Sequence, residues 1–214
     1  MSERRPIQAR EASLAKRIAS VLTRTGVSPN AISAASMVFA AIAAAAFIGV
    51  PGTDGPVRAS LFLLAILGMQ GRLLCNLFDG MVAVEGGKAS VTGEIWNDLP
   101  DRVSDTLILV SAGYASEIPE LGWFAAVGAV HVAYIRVLGT ASGAQTHFLG
   151  PMAKQHRMAL LTLTAAVAAG VALVDAGWVE WVLFAGFAVL LVGLTLTGVR
   201  RLRAVAADLR GRTP

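Results

Sequence analysis

Asn76 and Asp79 stand three residues apart in Asn76-Leu77-Phe78-Asp79-Gly80-Met81-Val82-Ala83, a stretch that is otherwise apolar. After a short connection, Ser90, Glu94, Asn97, Asp98, Asp101 and Asp105 recur at three- and four-residue spacing, with Gly93 among them. At about 100° per residue, each set falls on one face of a helix. Carboxylate and carboxamide oxygens brought together from two facing helices suit a hard divalent cation such as Mg2+ or Mn2+. Zinc-type His/Cys spacing is absent. A buried polar network that holds two helices together is the simpler account of a lone Asn in such a segment. A stripe with at least three carboxylates favours the cation, because carboxylates so close together would repel or take up protons without one. Ionisable groups at membrane depth are costly, and so point to function by default.

The segments that must carry these residues are membrane spans. Of the 214 residues, 55% are hydrophobic and 15% are charged, against about 25% charged in an average soluble domain. The apolar runs are continuous and do not alternate, which excludes a β-barrel. Six spans are expected, at about 31–50, 58–83, 91–115, 121–140, 158–174 and 178–199. Ser28-Pro29-Asn30 reads as the start of the first helix, with Ser28 as N-cap. Connections on the side of the termini hold Lys88, Lys154 and Arg157. The opposite connections hold Asp54, Glu117, Glu120, Asp175 and Glu180, with Arg58 as their one cation. This asymmetry places both termini in the cytoplasm, and Tyr114, Trp123, Trp178 and Trp181 mark the far interface.

The fold class is therefore all-α: a six-helix integral membrane bundle with an N-terminal cytoplasmic juxtamembrane helix. Residues 1–30 form a basic juxtamembrane segment, 31–199 the membrane domain, and 200–214 a basic cytoplasmic tail. The net charge of +4 sits in these flanks, where it serves anionic headgroups and not nucleic acid. Cys75 is the only cysteine and reads as a buried inert thiol. No cleavable leader is expected, because the first apolar run is long enough to span.

The motif resembles that of the CDP-alcohol phosphotransferases, Asp-x2-Asp-Gly-x2-Ala-Arg-x8-Gly-x3-Asp-x3-Asp. Asn76 takes the first Asp position; Asp79, Gly80 and Ala83 match; Val84 replaces the Arg. Gly93 follows after eight residues, Asn97 takes the third Asp position and Asp101 the fourth. Pro29-Asn30 before the first span, Ser90 before Gly93 and Arg102 after the last Asp also resemble the family.

The resemblance implies transfer of a phosphatidyl-type group from a CDP-linked lipid donor to an alcohol, with release of CMP, in phospholipid biosynthesis. It implies one or two Mg2+ or Mn2+ ions. Asp79 is the strongest ligand, Asn76 and Asn97 are neutral oxygen ligands, and Asp98, Asp105 or Glu94 could supply the lost charge. Asp101 is the general base, or else a fourth ligand. Gly80, Ala83 and Gly93 would admit the nucleotide, and Arg136, Lys154 and Arg157 the acceptor or the diphosphate. For Lys154 and Arg157, anchoring at the cytoplasmic surface is an equal alternative. A phosphorylated acceptor fits these cations, the family implies a homodimer, and a short chain with few extra domains suits a bacterial inner membrane. Two other classes stay open. A catalytically silent relative would bind lipid or nucleotide, or support a partner enzyme; metal-dependent CMP release excludes it. A small transporter would move substrate across vesicles without any nucleotide.

Overall fold

The computed structural model describes residues 13–85 and 92–211, without the side chains of Glu85, Glu94, Asn97 and Ala176. Lys88 and Ser90 thus lie outside the described residues, as do the side chains of Asn97 and Glu94. The helices are α1 (Ser13–Arg24), α2 (Pro29–Ile48), α3 (Gly55–Glu85), α4 (Gly93–Ala115), α5 (Pro119–Ala141), α6 (Lys154–Ala172) and α7 (Val179–Arg210), with a 3-10 turn at Ala176–Trp178 before α7. Among the described residues there is no strand.

Local chemistry sets the helix ends as expected. Ser28 Oγ accepts from the Ala31 N–H at 3.1 Å, and Pro29 opens α2. Four helices, α2, α3, α5 and α7, are long and apolar enough to cross a membrane. The other two long helices carry polar starts: the motif stripe in α4, and Lys154-Gln155-His156-Arg157 in α6. The chain is an all-α membrane bundle.

Six helices close into a ring in the order α2, α3, α6, α7, α5, α4. The two motif helices scarcely touch each other; α2 packs against both. Small residues allow this closeness. A Cβ at Gly68 of α3 would lie 2.7 Å from the Phe39 carbonyl of α2, and one at Gly113 of α4 would lie 2.6 Å from the Gly122 nitrogen of α5. Dispersion between closely approaching backbones is what holds helices together in lipid. Phe47, Phe62, Met69, Ile108, Leu109, Met158 and Leu183 fill the centre. Tyr114, Trp123, Trp178 and Trp181 are exposed at the end away from the motif.

The 31 residues of α3 span about 46 Å, more than the roughly 30 Å of a bilayer's hydrocarbon core. The excess carries the motif to the edge of the membrane. There α1 lies on α3, with Ala15 and Ala19 packed on Met81, Leu77 and Phe78. α7 continues through the basic tail as far as Arg210. Arg201, one of its cations, is buried and donates to the carbonyls of Leu149 and Val132, both at 3.0 Å. Cys75 is half-buried, not buried.

Candidate active site

On α3, Arg72, Asn76, Asp79, Gly80 and Ala83 share one face by helical spacing. On α4, Gly93, Asp101 and Asp105 do the same, and Pro100, which has no N–H to give the helix, precedes Asp101. Because the two helices stand apart, side chains bridge the gap. Arg72 has no exposed surface. Its Nη2 reaches Asp105 Oδ1 at 2.7 Å and Asp101 Oδ1 at 3.3 Å. Asn76 Nδ2 donates to the Arg72 carbonyl at 3.4 Å, which turns the amide oxygen towards α6. There the Lys154 ammonium donates to Asn76 Oδ1 at 2.8 Å and also to Asp101 Oδ2.

Asp79 is 5% exposed. Its Oδ2 accepts from Ser33 Oγ of α2 at 2.7 Å. Its Oδ1 is buried without a hydrogen bond of good geometry; the Gly80 backbone N–H is the nearby donor to the carboxylate, and Asp101 and Lys154 act on it electrostatically. A buried carboxylate oxygen left in this way is costly, and a cation is the group that would satisfy it.

Asp98 and Arg157 sit elsewhere than the sequence suggests. Asp98 is 46% exposed in its side chain and pairs with Arg136 of α5 at 3.1 Å and with Arg102 at 3.7 Å. It faces a neighbouring cluster, not Asp79. Arg157 is 2% exposed and donates to Asp105 Oδ2 at 2.5 Å and to the Met152 carbonyl at 3.1 Å. Neither Lys154 nor Arg157 is a surface anchor, because each meets a buried carboxylate across the bundle. Asp105 is flanked by two guanidinium groups, with one carboxylate oxygen paired to each.

Sequence reasoning passed over two members of the cluster. Arg72 lies one turn before Asn76 on the same face, and its position was the available signal. Ser33 is 46 residues from Asp79, and helical spacing carries no sign of that contact. Arg72, Arg102, Arg136, Lys154 and Arg157 face Asp79, Asp98, Asp101 and Asp105. Among the described residues, five cations thus meet four carboxylates.

No profile of a known protein family matches the chain. The archaetidylinositol phosphate synthase of Aeropyrum pernix is 33% identical to it over 156 residues, which are 72% of this chain and 75% of that protein. The chain belongs to the CDP-alcohol phosphotransferase family. Its fold is also that of a solved protein, the phosphatidylinositol phosphate synthase of Mycobacterium tuberculosis. The crystal structure with CDP-DAG bound superposes with a TM-score of 0.75 at 21% identity, covering 95% of this chain and 98% of that one. The complex of the same synthase with manganese and citrate gives 0.72 at 19% identity, covering 94% and 92%. In this CDP-alcohol phosphotransferase the motif positions 76, 79 and 101 meet at the end of the bundle where α1 lies.

Proposed function

We propose that the chain moves a phosphatidyl-type group from CDP-diacylglycerol, or a related CDP-linked lipid, to the hydroxyl of a phosphorylated alcohol, releasing CMP. The observation that carries this is the junction of Asn76, Asp79 and Asp101 from two helices, in the spacing of a family to which the chain belongs. An inositol phosphate is the acceptor that the names of the relatives support.

A divalent ion, Mg2+ or Mn2+, fits at Asp79, whose orphaned Oδ1 is a hard oxygen donor. Asn97, its side chain outside the described residues, is the further oxygen donor that the motif spacing offers from α4, while Asn76 Oδ1 and Asp101 Oδ2 are bonded by the Lys154 ammonium. When bound, the ion neutralises charge on the donor diphosphate and on the leaving CMP. Ser33 holds the Asp79 carboxylate in one orientation. Gly80, Ala83 and Gly93 keep the helix surfaces thin, so that the nucleotide lies close to the backbone. Asp101 takes the proton from the acceptor hydroxyl; Arg72 fixes it by contacts to both its carboxylate and its carbonyl. Arg136 receives the phosphate of the acceptor, with Asp98 as its partner in the meantime. Arg157 acts by positioning, through Asp105.

This end of the bundle faces the cytoplasm at a bacterial inner membrane, a reading supported by the charge asymmetry of the connections. Residues 31–199 form the catalytic domain, between the basic segments 1–30 and 200–214, and two chains assemble as a homodimer. The test is CMP release by the purified protein from CDP-diacylglycerol, with Mg2+ or Mn2+, against a panel of alcohols and their phosphates. Release with an inositol phosphate that is lost in Asp79→Asn is the expected result. No release with any acceptor, in folded protein, would favour a silent relative.

A further inference from the structure

Lys154 opens α6 and reaches across to both motif helices. Its ammonium bonds Asn76 Oδ1 and Asp101 Oδ2 together. These oxygens belong to the first and fourth acidic positions of the motif, where the family pattern has Asp. An ammonium and a divalent ion cannot share them, because like charges so close repel strongly where little water screens them. The sequence has changed in the matching direction. Asn76 and Asn97 remove two negative charges. Among the described residues, no three His, Cys, Asp or Glu side chains converge on one point. Arg72, fully buried, adds a second cation to Asp101. Asp79 is the exception. It keeps the acidic residue of the motif, is buried, and has one oxygen without a hydrogen-bond partner.

We infer that the Lys154 ammonium occupies the place a second divalent ion would take, so that a single divalent ion is held, at Asp79. The inference rests on the reading of Asp79 as a metal ligand. Asn at position 76 then has a reason: a neutral oxygen accepts from an ammonium without adding charge that would recruit a second metal. As an ammonium, Lys154 supplies a cation to the site that does not depend on the concentration of free metal.

The experiment is a Mn2+ titration of the full chain in detergent. Bound ion is counted by electron paramagnetic resonance, and coupling between paired Mn2+ ions is read from the same spectra. One uncoupled ion per chain is expected for the unaltered protein and for Asn76→Asp, in which the lysine still occupies the position. Asn76→Asp/Lys154→Met should take up two coupled ions. Two ions in the unaltered protein overturn the inference, and so does a count of one in the folded double variant. If Lys154→Met variants fail to fold, the count for the unaltered protein and for Asn76→Asp decides, two in either being fatal. No bound ion, with CMP release intact, overturns both the inference and the metal assignment while the transferase stands. One bound ion without CMP release supports the inference and removes the transferase.

Discussion

Asp105→Asn separates structural charge from catalytic charge. Asp105 is 2% exposed and lies between Arg72 Nη2 at 2.7 Å and Arg157 Nη2 at 2.5 Å. Asparagine keeps the volume and one acceptor oxygen but turns an amide N–H2 towards one of two guanidinium groups. Arg72 retains Asp101 at 3.3 Å, whereas Arg157 retains only the neutral Met152 carbonyl. Breaking a buried pair from one side costs about 3–5 kcal/mol. The partial compensation at Arg72 puts the expected loss near the lower end, about 3–4 kcal/mol. Arg157→Met is milder, because Asp105 keeps Arg72; the loss is one charge-assisted hydrogen bond, about 2 kcal/mol. The double variant removes both charges and should resemble Arg157→Met alone, a coupling of about 3 kcal/mol. The assay is reversible unfolding of the purified protein in mixed micelles, titrated with SDS and followed by circular dichroism. Mn2+ affinity of the folded fraction should not change. A cost below about 1 kcal/mol for Asp105→Asn, or additivity within about 0.5 kcal/mol, would refute the reasoning.

Ser33→Ala should leave the fold intact and weaken Mn2+ binding about tenfold, since it frees the Asp79 carboxylate to rotate; unchanged affinity in a Mn2+ titration speaks against Asp79 as the ligand. Asp101→Asn should slow CMP release by about 10²–10⁴-fold if Asp101 is the base, and a rate near that of the unaltered protein removes that role. Asp98→Asn should spare CMP release, because its carboxylate faces Arg136 and Arg102; a loss equal to that of Asp101→Asn would put Asp98 back in the site. Gly113→Leu drives a side chain into the Gly122 backbone and should destabilise the bundle by at least about 1–3 kcal/mol, read as a lower SDS midpoint.

The number and order of the helices were legible because apolar length and capping are local. The 20-residue α2 begins at its Ser28-Pro29 signal, and the turn at 51–54 ends the run before α3. The face of α3 that carries Asn76 and Asp79, and that of α4 that carries Asp101, follow from helical periodicity alone. The sequence also shows that two of the four acidic positions of the family motif are Asn, at 76 and 97.

Which cation meets which carboxylate was decided by the tertiary structure. Lys154 and Arg157 are three residues apart on α6, yet one bonds Asn76 and Asp101 while the other bonds Asp105. Read along the chain, both resemble surface charges at a helix start. They turn inward because the ring order sets α6 against α3, and α2 holds α3 and α4 apart at a distance that long side chains must bridge. Asp98 and Asp101 are neighbours on one stripe, offset by about 60° around the helix, yet one meets Arg136 and the other Arg72. Sequence periodicity fixes where a side chain stands on its own helix. Its partner depends on the angle and spacing between helices, which come from small-residue contacts such as Gly68 on Phe39 and Gly113 on Gly122, spread over the whole bundle.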